Sequence, residues 1–273
     1  SSNGAVAGSS QQRQGRRLGH LRHRGILQRT RHGVGQHGHA QALSHLLTGL
    51  RSPSQGFVPA LAEREFTLGM RDILEALTLP GLMAHIRQHA PGITVNCIQV
   101  ERHDIADALR QGRVDAVVDI AMPLAAEVHH TRLVLDQLVV VAKANHPVIQ
   151  QGPLRLDTYL AASHVLVSAR KQGLGIEDHE LSRQGLRRQI GLRCRHYFAA
   201  CRVVNQTDML LTMPEQYAKV ANQLFDNQLH PFPLNPAQLD AHLYWHAGSD
   251  EDPTNQWLRT QLVQAVQQEL KAL

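Results

Sequence analysis

The chain has 273 residues, 42% of them hydrophobic and 19% charged, which is enough apolar material for a core divided over one or two domains. Its longest uninterrupted apolar stretch, Leu138 to Ala142, falls far short of the roughly 20 residues a membrane helix needs, so no membrane span is expected. Three cysteines are too few and too odd in number for a disulfide framework, and the basic residues near the start are followed by no apolar block of the kind a secretory signal carries. A cytoplasmic protein is expected.

The net charge of +5 is divided unevenly. Residues 1–62 hold eight Arg and no Asp or Glu, which leaves −3 for the remainder. Between Ser1 and His39 there are eight Gly, seven Arg, five His and five Gln, with no Lys and no aromatic residue. Such a stretch cannot bury a core. Two readings of residues 1–39 stand side by side: a flexible basic arm that touches phosphates without reading sequence, or a disordered or aberrant segment that is not native sequence, as when a GC-rich gene is translated out of frame.

Periodicity begins near Ala40. Leu43, Leu46, Leu47 and Leu50 recur at helical spacing, and 51–56 ends that helix. Phe66 to Met70 is then expected as a strand, Leu79, Leu82, Met83 and Ile86 as one helical face closed by Pro91-Gly92, and Ile93 to Val100 as a second strand. Asp104 is placed to cap a helix through Ile105, Ala108 and Leu109, Gly112 to end it, and Ala116 to Ile120 to form a third strand. Strand and helix alternating with short links imply a parallel sheet with right-handed crossovers. Leu133 to Ala142 reads as a longer strand. The pattern then restarts, with strands at 165–168, 189–196 and 209–213 separated by helices, the last of them opened by Pro214. Glu177-Asp178-His179-Glu180 reads as the exposed first turn of a helix. Leu243 and Trp245 alternate with His242, Tyr244 and His246, and Asp252 with Pro253 opens a terminal helix. The fold class is α/β, two hinged lobes with a cleft between them.

Five runs carry a family pattern: FVPALAEREFTLGMRDILEALTLPGLMAHIRQHAPGITV, DIADALRQGRVDAVV, LVVVAKANHP, ELSRQGLRRQIGLRCRHYFAA and WLRTQL. Each alone is ordinary helix and strand punctuation, but in register from 57 to 259 they resemble the effector-binding region of LysR-type transcriptional regulators. The resemblance covers Ala40 to Leu273. It implies two Rossmann-like subdomains similar to periplasmic binding proteins, with 57–141 and 235–273 forming the first, 142–234 the second, and 40–56 the end of a linker helix. It also implies a ligand-responsive DNA-binding regulator that works as a homodimer or tetramer. DNA is expected to be met through a winged helix-turn-helix head of that family, which is not recognisable in this chain. A solute-binding protein of similar two-lobed fold is the alternative, and an enzyme the third reading.

The common nucleophile, zincin and P-loop motifs are absent, so no catalytic residue is expected. No cofactor and no metal are expected either. Cys194, His196 and Cys201 lack the partners of a zinc site and read as core thiols, while His129-His130 reads as solvated loop. In open parallel sheets ligands bind beyond the carboxyl ends of strands. That rule selects Met70, Arg71 and Asp72 after the first strand, Ile120, Ala121 and Met122 after the third, and His196, Tyr197 and Phe198 in the second lobe. The resemblance places effector contacts in equivalent positions. The expected effector is a small organic anion. Arg71 and the free amides of the next helix would hold its charge, and Tyr197 with Phe198 would cover a flat apolar body. The plainer reading has Arg71 paired with Asp119, Asp72 acting only as a cap, and the two aromatic rings only packing.

Overall fold

The computed structural model describes residues 56–273, apart from 150–151, 169–171 and 235–237. The readings of the basic segment and of the leucine stripe at 43–50 lie outside the described residues.

Two five-stranded sheets, each covered by helices on both faces, make up this part of the chain. The first contains β1 (Arg64–Gly69), β2 (Ile93–Ile98), β3 (Ala116–Ile120), β4 (Val128–Asp136) and β10 (Leu239–His246), in the order β2-β1-β3-β10-β4. Period-2 alternation sends Phe66, Leu68, Ala116, Val118 and Leu243 to one face. There they meet α1 (Asp72–His89) and the terminal helix α7 (Pro253–Ala272). Val117 and Tyr244 face the other way, towards α2 (Ile105–Arg110). Helix α1 starts seven residues before Leu79, the first residue of the expected apolar face, and runs on through Pro80. At the next residue, Gly81, a Cβ would lie 3.2 Å from the Ala265 carbonyl oxygen, so glycine permits the close approach of α1 to α7. Asp252 caps α7 by accepting the Thr254 amide at 3.0 Å, as its place before Pro253 predicts.

The second sheet contains β5 (Leu138–Lys143), β6 (Ser163–Val167), β7 (Gln189–Cys194), β8 (Leu210–Pro214) and β9 (Asn227–Pro231), in the order β7-β6-β8-β5-β9. Its helices are α3 (Leu156–Ala161), α4 (Ile176–Arg183), α5 (Tyr197–Gln206) and α6 (Glu215–Ala221). Both sheets are mixed rather than wholly parallel. In the first, β10 runs antiparallel to β3 and β4; in the second, β5 runs antiparallel to β8 and β9.

The stretch Leu133 to Ala142, read as one strand, is two strands broken at Gln137, and the chain changes sheets there rather than after Val141. The break is fixed by hydrogen bonds to the start of α6. The Asp136 carboxylate accepts the amides of Gln137 (2.8 Å) and Gln216 (3.3 Å), and the Gln137 side chain donates to Glu215 at 2.8 Å. β4 also begins at Val128, so His129 and His130 lie in a strand and not in a loop. Among the described residues no helix is long and apolar enough to cross a membrane.

Glu177 and Asp178 form the first turn of α4 as expected, but they are buried rather than exposed. The Arg188 side chain, 1% exposed, lies between them, bonded to Glu177 through Nη2 and to Asp178 Oδ1 through Nε at 2.6 Å. Its Nη1 donates to the Tyr159 hydroxyl at 3.3 Å, which in turn is 2.7 Å from the Thr212 hydroxyl. His164, fully buried, donates Nε2–H to the Tyr159 carbonyl at 2.7 Å, and its Nδ1 has no partner. Burial, and then the Arg188 charge, hold this imidazole down to about 4.

Two consequences can be measured. Arg188→Ala strands two buried carboxylates and is expected to lower the unfolding free energy in urea by about 3–5 kcal/mol. Between pH 6.5 and about 4 the unfolded chain binds a proton that folded His164 refuses, so stability decreases as the pH is lowered through that window, by about 3 kcal/mol in all. His164→Asn should flatten the dependence of the melting temperature on pH over that range, and an unchanged slope would remove His164 as its source.

Candidate effector site

The carboxyl ends of β1 and β3 and the start of α5 are brought to the junction of the two sheets. After β1 the chain turns into α1 at Arg71, an extended residue (φ −111°, ψ 156°) that occupies the N-cap without a side-chain capping bond. Its guanidinium is thereby left to reach across to β3, where Nε donates to Asp119 Oδ2 at 3.3 Å. Asp119 is buried and accepts three further hydrogen bonds: Arg102 Nε at 3.2 Å, Arg102 Nη2 at 3.0 Å and the Ile120 amide at 2.7 Å. One carboxylate thus holds two guanidinia, so the cluster carries an excess of one positive charge. Both arginines remain open to solvent, Arg71 with 34% and Arg102 with 47% of its side chain exposed.

Asp72 is the first residue of α1 and does not cap it. Its carboxylate is 3.8 Å from His196 Nδ1 at the start of α5, so the two helix starts face each other across the sheets. Behind His196, the Tyr197 ring meets Tyr217 edge-on, with centroids 5.9 Å apart, against the second core. Burial, followed by the Asp72 charge, pushes the Tyr217 phenol up to about 12. Ile73 and Ala76 of α1 pack on the same core, so α1 serves both sheets.

The structure therefore brings Arg71, Asp72 and Tyr197 to one junction and sends other expected residues elsewhere. Met70 is 2% exposed in the first core, because the alternation of β1 continues one residue past its end. Met122 packs against the apolar cluster under α2, and its amide donates to the Tyr244 hydroxyl at 3.2 Å. That hydroxyl donates to the Ile120 carbonyl at 3.0 Å, which pins Ile120 and Met122 by their backbones. Phe198 is 46% exposed and lies on Phe225, with centroids 5.4 Å apart, so it does not share a surface with Tyr197. One helical residue separates the two rings, and roughly 100° of rotation comes with it. Arg102 escaped sequence reading because it sits in a 3-10 turn (Arg102–Asp104) whose only visible signal was the cap at Asp104. Asp104 does occupy that N-cap position, with no side-chain capping bond.

Among the described residues no group of three or more His, Cys, Asp or Glu is placed to hold a metal ion. Cys201 is buried with its thiol 3.8 Å from the Met213 sulfur, and burial pushes it up to about 11. Cys194 donates weakly to the His196 carbonyl at 3.8 Å. A separate groove of about 660 Å³ runs between α7 and the β10–β4 pair, lined by Thr131, Trp245, Arg259 and Val263 among others. Its arginine is already held by Asp250 at 3.2 Å and stacked on Trp245 at 4.3 Å, so the groove offers an anion no free charge.

Residues 59–267 match the family described as the LysR substrate binding domain. The chain is 31% identical over 215 residues to the HTH-type transcriptional activator NahR of Pseudomonas putida, covering 79% of this chain and 71% of that protein. It is 29% identical over 223 residues to NagR of a Ralstonia species, another HTH-type transcriptional activator, covering 82% and 73%. The crystal structure of the probable transcriptional regulator PA0477 from Pseudomonas aeruginosa superposes with a TM-score of 0.73 at 30% identity, covering 82% of this chain and 73% of that one. The BenM effector binding domain with its effector benzoate shares the fold, with a TM-score of 0.61 at 19% identity, over 76% of this chain and 92% of that one. These relatives favour the regulator reading over the solute-binding one. The chain belongs to the LysR family of transcriptional regulators, and its two-lobed part is the substrate-binding domain of that family.

Proposed function

We propose that the effector of this regulator is a small organic anion held at the junction of the two lobes by Arg71 and Arg102. The observation that carries this reading is the ratio of charges at Asp119: two guanidinia share one carboxylate, and both keep donors exposed. An anion arriving there completes a charge balance that the protein leaves open, and the exposed start of α1 adds to its attraction. Tyr197, half-buried at the start of α5 opposite α1, supplies ring area for a flat apolar body. Met70, Ile120, Met122 and Phe198 are left out of this binding set.

In this reading the domain binds its ligand without chemical change. Lobe closure shifts the relative placement of paired subunits, and DNA is met through a head not recognisable in this chain. The lobes are proposed as 57–137 with 239–273, and 138–231. Assembly as a homodimer or tetramer draws on apolar surface such as Phe198 and Leu224, both exposed.

The test is thermal unfolding with a panel of aromatic and aliphatic monocarboxylates, including benzoate, beside their neutral amides. At least one acid is expected to raise the melting temperature of the wild-type chain, and its amide to raise it little. Arg71→Ala should lose that rise while keeping the stability of the free protein to within about 1 kcal/mol, since Arg71 makes one long bond from a partly exposed position. A full shift in Arg71→Ala, or equal shifts by acid and amide, would falsify the reading.

A further inference from the structure

His130 on β4 and His242 on β10 lie diagonally across an antiparallel pair: His130 is opposite Tyr244, and His242 is opposite Arg132. Their Nδ1 atoms converge to 2.9 Å, with ring centroids 4.9 Å apart. We propose that this pair is a bidentate imidazole chelate for a divalent transition-metal ion of the Ni2+ or Cu2+ type.

The argument is one of geometry. With the ligand-free protein one Nδ1 donates its hydrogen to the other, so a single proton sits between two lone pairs that point at each other. A metal ion that takes both nitrogens releases that proton to solvent and sits about 1.45 Å to the side of the line that joins them, so each ring turns to aim its lone pair at the ion. At a metal–nitrogen distance of about 2.05 Å, nitrogens in adjacent positions of a square or octahedral ion stand about 2.9 Å apart, whereas tetrahedral ones stand about 3.3 Å apart. The observed spacing of 2.9 Å matches the first arrangement. Imidazole suits these ions, and Cu2+ and Ni2+ stand high in the affinity order of such sites.

The surroundings fit as well. Both residues stand on hydrogen-bonded strands, so little order has to be created on binding. His130 is exposed and gives the ion a path from solvent, with water to fill the remaining positions. Tyr244 lies beside both rings, 5.7 Å from His130 and 5.9 Å from His242, and limits their rotation. The neighbouring charges, Arg132 and Asp240, pair with each other at 3.1 Å, so they leave the site close to neutral.

Calorimetric titration of the full chain with NiCl2 tests the proposal. Six histidines within residues 1–45 also take up the ion, so the readout is the difference between proteins that share them. The wild-type chain is expected to show one additional equivalent of tight binding. Either His130→Ala or His242→Ala should weaken that equivalent by about tenfold or more, since even outer-shell losses at metal sites cost 10–100-fold. His103→Ala, which removes an exposed histidine outside the pair, should leave it intact. His130 is on the surface of an edge strand, so its variant folds and keeps the comparison open. Equal Ni2+ binding by the wild-type chain and both pair variants would overturn the chelate. So would a loss confined to one of the two, which marks independent single-histidine sites.

Discussion

The chain passes from one sheet to the other through a single residue, Gln137, and the rest of the architecture is arranged around that constraint. A one-residue link allows no slack, so the last residue of β4 and the first of β5 must both sit at the junction. Asp136 holds them there by accepting the amide of Gln137 in the link and that of Gln216 at the start of α6. The return crossing is laid beside it, because Leu239 at the start of β10 pairs with Asp136 at the end of β4. With both crossings at one place, the parallel strands β1 and β3 run towards the junction, and so do the helix starts that follow β1 and β7. The starts of α1 and α5 are thereby brought to face each other, with Asp72 3.8 Å from His196.

Helix α1 shows how the two lobes are linked without being fused. Its Leu82 and Ile86 are buried in the first core, while Ile73 and Ala76, nearer its start, pack against the second. The end that touches the second lobe is also the end that carries Arg71 and Asp72. In the proposed reading, a ligand that engages Arg71 therefore acts on a helix that packs against both lobes. Coupling of this kind needs only that the two placements differ in ligand contacts.

Much of this was legible in the sequence, because periodicity and punctuation are local. β3 appears at the expected bounds, Asp252 caps α7, and Gly112 takes the left-handed conformation (φ 65°) that ends α2. The break at Gln137 was not legible: Leu133, Val134 and Leu135 continue into Leu138 and Val139 with no glycine or proline, and what bends the chain is hydrogen bonding to residues about 80 positions away. β9 escaped notice for a related reason, since Asn227 to Pro231 is an edge strand with few apolar residues. At the junction of the sheets, the rule that ligands bind beyond strand ends selected the loops that carry Arg71, Asp72 and Tyr197. It could not separate Met70, whose side chain turns inward, from Arg71, whose side chain turns out. Nor did it reach Arg102, which joins the site only through Asp119.

The contrast between the two arginine clusters separates one that holds the fold from one that we propose as the effector site. Around Arg188 a single guanidinium meets two carboxylates, and burial pushes the Glu177 carboxyl up towards its neutral form. The cluster is closed to water and tied together by hydrogen bonds, as a buried network must be if it is not to cost more than it returns. Around Asp119 the ratio is reversed. A single buried carboxylate takes two guanidinia, each partly in solvent, and water screens the surplus charge while no ligand is present. Such an arrangement contributes little to stability by itself, and that is its use. In the proposed reading its free-energy gain is withheld until an anion displaces the water, so binding there need not first break a strong internal pair. The loose 3.3 Å bond from Arg71 to Asp119 stands beside the tighter two-point contact of Arg102, so Arg102 is the more firmly anchored of the two, and Arg71 is the arm we propose turns towards a ligand.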